Sequence, residues 1–165
     1  MKDNEDKKFE YDVALSFAGE NREFVEDVAT FLKDMGIRVF YDKFEADNLW
    51  GKNLYDHLQE VYKEKAKYSI LFISEHYKKK NWTTHERQSA QARAFEETKE
   101  YILPVRFDNT EIPGINSTVG YLDANEYNPI DIAKIFIKKI GFESNKRWWG
   151  TWERDNTILS NNGDL

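Results

Sequence analysis

The apolar positions change period several times along the chain, and each change marks an element. Tyr11, Val13, Leu15 and Phe17 alternate with Asp12, Ala14 and Ser16, the period of a strand, and Gly19 ends the run. Phe24, Val25, Val28, Phe31, Leu32 and Met35 then recur at helical spacing, with Gly36 where a left-handed C-terminal cap belongs. Residues 37–41 form a second short β-type run, residues 42–52 read as a polar loop carrying Trp50 and Gly51, and Leu54, Leu58, Val61 and Tyr62 mark a second helix. The continuous apolar run 68–73 predicts a central strand covered on both faces, closed by Ser74 and Glu75. Residues 83–99, rich in Ala, Gln, Glu and Arg, predict a helix, and 101–107 return to strand character, with Pro104 favouring a more peripheral place in the sheet. Residues 119–122 predict a last short strand, and Ile132, Ala133, Phe136, Ile137 and Ile140 a final helix ended by Gly141.

This alternation predicts an α/β fold with a mostly parallel sheet and helices on both sides, because each parallel strand needs a crossover connection. Ligands of such sheets sit at the carboxyl ends of the strands, which singles out the segments 17–20, 42–51 and 74–82.

Composition narrows the chemistry. The 165 residues suit one domain with a real core, and 40% hydrophobic residues against 33% charged disfavour a disordered chain. Lys and Arg number 24 against 30 Asp and Glu, a net charge of -6 with no basic block, so neither nucleic acid nor an anionic membrane is an expected partner. The absence of cysteine excludes disulfides, thiolate metal sites and a cysteine nucleophile, and His57, His76 and His85 lack metal-binding spacing, so no metal is expected. The charged stretch 1–8 and the lack of any membrane-length apolar run read as cytoplasmic.

Familiar nucleotide sites do not fit these loops. The turn Ala18-Gly19-Glu20-Asn21 has one glycine and an acid where a dinucleotide fold needs a glycine-rich turn, and no P-loop occurs. Ser16 and Ser74 stand at strand ends where a phosphoacceptor domain would need aspartates. What remains is Trp82-Thr83-Thr84-His85-Glu86. Residues four apart share a helix face, so Trp82 and Glu86 point the same way, with Ala90 and Ala94 continuing the row. Spacing alone also fits a Glu that merely complements the helix dipole. His85, turned by about 100° from Glu86, reads as solvated surface.

Taken together, these pieces resemble a Toll/interleukin-1 receptor (TIR) domain of the bacterial stand-alone type, over residues 9–141. The resemblance rests on Tyr11-Asp12-Val13-Ala14-Leu15-Ser16-Phe17, Gly36-Ile37-Arg38-Val39-Phe40-Tyr41-Asp42, Leu49-Trp50-Gly51, the strand 66–74 and the Trp-x-x-x-Glu pair Trp82 and Glu86, in that order. It implies a flavodoxin-like five-stranded sheet; outside its span the sequence reads as a charged tail over 1–8 and a Trp-rich extension over 142–165, holding Trp148, Trp149 and Trp152 and ending in a polar stretch. It further implies cleavage of the nicotinamide–ribose bond of NAD, with NAD as substrate and no cofactor, and a cyclic or modified ADP-ribose signal read by a separate effector in antiphage defence.

By the same resemblance Glu86 is the catalytic carboxylate and Trp82 the aromatic wall beside it, or a core residue at the helix start. Phe17 and Ala18 line the nicotinamide side with Ser74 next to them; Asp42 contacts substrate or caps its loop; Trp50 stacks on adenine or on a neighbouring subunit. Some active relatives carry an Arg near Ala18, a role that Arg22 or Lys43 would take here. Self-association through the loop 42–52 is implied as well. The alternatives are simple NAD depletion and a non-catalytic TIR scaffold.

Overall fold

In the computed structural model, residues 9–81, 93, 95–97 and 101–141 are described. Five strands, β1 (Tyr11–Ser16), β2 (Val39–Phe40), β3 (Ala66–Ile73), β4 (Ile102–Arg106) and β5 (Leu122–Asp123), form one sheet in the order β2-β1-β3-β4-β5. Every pairing is parallel, with Leu15 opposite Ile70 and Ser16 opposite Leu71 at the centre. This is the doubly wound order of flavodoxin-like sheets, and its direction reverses between β1 and β3. The expected fold class is therefore the observed one.

The two faces follow from the pleat. Val13, Leu15, Ile70, Phe72 and Val105 join one core cluster with the buried side of α1 (Arg22–Asp34) and with Ile132, Ala133, Phe136 and Ile137 of the C-terminal helix α5 (Pro129–Ile140). Those two helices pack together on that face. Ala14, Leu71 and Ile73 point the other way, toward Val61, Tyr77 and Phe95. Of the predicted helix 83–99, Arg93 and Phe95–Glu97 are helical, and buried Phe95 holds that segment against the sheet; the remainder lies outside the described residues.

Local sequence explains the ends of the two long helices. Gly36 adopts φ 90°, Gly36 N–H donates to the Lys33 carbonyl and Ile37 N–H to the Leu32 carbonyl, a Schellman closure that only a residue tolerating positive φ supports cheaply. Helix α5 begins with a capping box: Asn128 accepts from Asp131 N–H at 2.9 Å, and the Asp131 carboxylate accepts from Asn128 N–H at 3.1 Å. Pro129 follows as the first helical residue, and Gly141 closes the helix with φ 65°.

Three local expectations change. The loop 42–52 contains a 3-10 turn over Asp42–Glu45 and a short helix α2 (Ala46–Leu49), because Phe44 and Leu49 anchor on the core from an otherwise polar run. The second helix is α3 (Leu54–Glu60) followed by a π-helical turn, Val61–Lys65, that leads straight into β3 at Ala66. A further helix, α4 (Glu75–Asn81), follows β3 where the sequence indicates only a chain reversal. Pro104 lies in a strand flanked on both sides, but β5 starts alongside Val105, one residue past the proline, and covers just two positions. Among the described residues, no helix is long and apolar enough to cross a membrane.

Candidate active site

The strand order reverses between β1 and β3, above whose carboxyl ends doubly wound sheets hold their ligand crevice. Its floor is a layer of buried hydroxyls. Ser16 Oγ lies 2.9 Å from the Tyr77 hydroxyl, and the Tyr62 hydroxyl donates to the Leu15 carbonyl at 3.3 Å. Burial pushes the Tyr77 phenol up to about 12, with the Ser16 contact acting in the opposite direction, so it stays protonated at neutral pH.

The β1 turn forms one lip. Ala18 is fully buried against Leu71, Ile73, Tyr77 and Phe95, and its carbonyl accepts from Asn21 N–H at 2.9 Å to start the 3-10 turn Gly19–Asn21. Phe17 is half-buried and stacks on Tyr41 with ring centroids 5.7 Å apart. Ala18 thus builds the lip with its backbone while its methyl fills the core.

Ser74 holds the other lip. Only 2% exposed, it donates to Asn21 Oδ1 at 2.8 Å and accepts from Tyr77 N–H at 3.2 Å. One hydroxyl therefore ties the β1 turn to β3 and caps helix α4. Asp108, just past β4, supplies the second cap by accepting from Glu75 N–H at 2.9 Å. Burial would raise the Asp108 pKa, but hydrogen bonds from Thr110 and the Glu75 amide outweigh it and hold the carboxyl below its usual range. These tertiary caps explain why α4 escapes a reading of periodicity: over residues 75–80 Tyr77 is the one buried side chain, followed by three lysines.

Helix α4 in turn delivers Lys80 over the β1 turn, 3.4 Å from Glu20. A Cβ at Gly19 would lie 3.0 Å from Lys80 Nζ, so the glycine leaves room for that approach. The Glu20 carboxyl is held below its usual value, first by a backbone hydrogen bond at Glu20 itself and then by Lys80. The sequence marks Glu20 only as the acid of its turn and does not pair it with Lys80, since the pairing joins positions sixty apart through the fold.

Asp42 sits where the chain leaves β2. Both of its oxygens are taken by Arg22, at 2.7 and 2.6 Å, and Lys43 N–H adds a third bond at 2.8 Å. Arg22 also donates to the Tyr41 hydroxyl at 3.0 Å and lies over the Phe17 ring, 5.0 Å from its centroid. Burial alone would raise the Asp42 pKa, but the Arg22 hydrogen bonds and charge win and lower it. Lys43 reaches back to Glu26 at 3.1 Å. Arg22 and Lys43, the two cations expected to replace the relatives' Arg, thus have carboxylate partners within the fold. Trp50, next to Gly51 with φ 83°, is 91% exposed.

The crevice therefore brings together Phe17, Ala18 and Ser74, joined by Asn21, Tyr77 and Lys80; the Arg22–Asp42 clamp braces the β2 side; Trp50 projects into solvent. Trp82 and Glu86 lie outside the described residues, as do His85 and the tryptophans Trp148, Trp149 and Trp152.

Known proteins share this fold and much of this sequence. The TIR domain model matches residues 13–136. The chain is 53% identical over 154 residues, 93% of its length, to a 3′ cyclic ADP-D-ribose synthase of Aquimarina amphilecti, of which it spans 47%. It is 36% identical over 105 residues to an NAD(+) hydrolase of a Theionarchaea archaeon, covering 63% of this chain and 31% of that one. It is also 36% identical over 100 residues to a 2′ cyclic ADP-D-ribose synthase of Bacteroides thetaiotaomicron, covering 58% and 32% respectively. The chain thus spans at most about half the length of these relatives. A TIR-STING receptor from C. gigas, solved with 2′,3′-cGAMP, shares the fold with a TM-score of 0.53 at 17% identity, over 76% of this chain and 39% of that one. By the extent of the family match, and by a sheet order that accords with it, the chain belongs to the TIR domain family.

Proposed function

We propose that this domain cleaves the nicotinamide–ribose bond of NAD in the crevice between β1 and β3 and closes the ADP-ribose on itself, giving 3′ cyclic ADP-ribose. The observation that carries the reading is the 53% identity, across 93% of the chain, to a protein named for that synthesis. The crevice supports it, since doubly wound sheets bind nucleotides at this reversal.

The chemistry asks little of the protein. As the bond from the ribose C1′ to the ring nitrogen breaks, its electron pair leaves with nicotinamide, which turns from a cation into a neutral molecule. No general acid is required, in contrast to ordinary glycosides with their two carboxylates. The positive charge passes to the ribose, where the Glu86 carboxylate stabilises it, and Trp82 walls the site from water. A hydroxyl of the same ADP-ribose then adds to C1′ and loses its proton; water adding instead yields free ADP-ribose.

The described residues take supporting roles in this reading. Phe17 and the Ala18 backbone line the nicotinamide side, and Ser74 positions the β1 turn through Asn21. With Arg22 and Lys43 engaged by Asp42 and Glu26, Lys80 supplies the cation for the diphosphate by exchanging its Glu20 contact. Asp42 braces the loop that carries Trp50, and Trp50 meets either the adenine or a second copy of the domain. Self-association, a cytoplasmic site of action, a separate effector that reads the product and a role in antiphage defence belong to the same proposal.

The test is product analysis after incubation with NAD. The expected product is lighter than ADP-ribose by one water and elutes with a 3′ cyclic standard. Free ADP-ribose as the only product would overturn the cyclase assignment and leave an NAD-depleting enzyme.

A further inference from the structure

A second concavity lies beyond β4, away from the β1 turn. It is a cleft of about 600 Å³ whose polar lining comes from Lys78 of α4, Arg106 at the end of β4, and Asn109, Glu111, Asn116, Ser117 and Tyr121 of the connection to β5. The size falls within the range of small-molecule sites, roughly 300–1,000 Å³.

Arg106 is its unusual member. The residue is only 9% exposed, yet among the described residues its guanidinium has no carboxylate partner. It donates from Nη1 to the Thr110 carbonyl at 2.8 Å and lies over the Tyr121 ring, 5.2 Å from the centroid. A guanidinium carries five N–H donors in a rigid fork, so one carbonyl and one ring leave most of its capacity unused. Burying such a cation without an anion is costly, which makes an anion from outside a natural complement. The other arginines described near strand ends are differently served: Arg22 by Asp42 and Arg38 by Asp12.

The surrounding groups narrow the class of anion. Lys78 adds a second positive charge at the rim, and Asn109, Asn116 and Ser117 are exposed hydrogen-bonding side chains on the same wall. Tyr121 is 50% exposed, so its ring is available both to the guanidinium and to a flat ligand ring. Glu111, the acid on the lining, is exposed and disfavours a bare polyanion that would fill the cleft. A ligand with one compact anionic group and a ring fits better than a chain of charges.

We propose that this cleft is a second ligand site, which binds the phosphate group of a nucleotide through Arg106 and Lys78 and packs its base on Tyr121. The site is distinct from the crevice in which NAD is cleaved, and it gives the domain a place to sense a nucleotide without turning it over.

The test is titration of the purified chain with AMP and, separately, with inorganic phosphate and adenosine, followed by calorimetry and by the melting temperature. Wild type should bind AMP at least tenfold more tightly than phosphate or adenosine alone. Lys78→Gln, at an exposed position, and Tyr121→Ala should each weaken AMP binding at least threefold without loss of fold, and Arg106→Gln should abolish it. AMP binding lost on Glu86→Gln but retained in Lys78→Gln and Tyr121→Ala would place the nucleotide in the catalytic crevice and overturn the proposal. Equal affinity for phosphate and AMP would remove the role of Tyr121. No binding of AMP to wild type would make Arg106 a structural anchor of the Thr110 turn. Each of these results is independent of whether NAD is cleaved.

Discussion

Arg22 and Asp42 illustrate how single residues at this crevice divide their duties. Both carboxylate oxygens of Asp42 are bound, so the group acts first as a brace for the start of the loop after β2. The pair is about one-third exposed, and after screening its net contribution is about 1 kcal/mol or less. Its pH dependence has a defined sign. The folded pKa of Asp42 lies below 3.8, so the contribution is complete above that value and is lost as pH falls through the folded pKa. Denaturant unfolding of wild type and Asp42→Asn should therefore show a stability gap that is constant at neutral pH and closes only below pH 3.8. A gap that changes between pH 5 and 8 would assign the effect to another group. The sequence exposes Asp42 as a candidate, but not Arg22 as its partner, because residues twenty apart in the chain meet only once α1 is docked on the sheet. The same holds for Ser74: its place at a strand end is legible, while its bonds to Asn21 and Tyr77 depend on α4.

At the scale of elements, legibility follows how local the stabilising interactions are. Helix α1 and helix α5 carry apolar stripes, terminal glycines and, for α5, a capping box within four residues, and both are recognisable from sequence. Replacing Asn128 by Ala should cost about 1 kcal/mol, read as a lowered melting temperature with the m-value unchanged. A loss several times larger would mean that Asn128 serves the tertiary structure as well as its own helix. Helix α4 is the opposite case. Its caps come from Ser74 and from Asp108, the latter 33 residues away from the amide it serves, and three successive lysines give no stripe. The 3-10 turn and α2 within 42–52 are likewise set by Phe44 and Leu49 reaching the core. Strand β5 is just two residues long, so the strand expected over 119–122 meets it only at Leu122.

For the whole molecule, a strongly exposed aromatic is the feature that isolated folding leaves unexplained. Trp50 is 91% exposed and Leu54, four residues on, is 54% exposed, both on the side of the sheet where β2 ends. Within the proposed reading this surface meets a second copy or the substrate. Trp50→Ala should leave the melting temperature within about a degree of wild type, as surface substitutions do, while lowering NAD turnover and its dependence on protein concentration. A large drop in melting temperature would make Trp50 part of the core instead. The central claim, that a TIR crevice with one carboxylate breaks the nicotinamide–ribose bond, is tested most directly by nicotinamide release from NAD, measured side by side for wild type and Glu86→Gln at matched, high protein concentration. The account predicts steady release by wild type and a rate lower by about a hundredfold or more in the variant, with both proteins folded. Equal rates in the two proteins would contradict it.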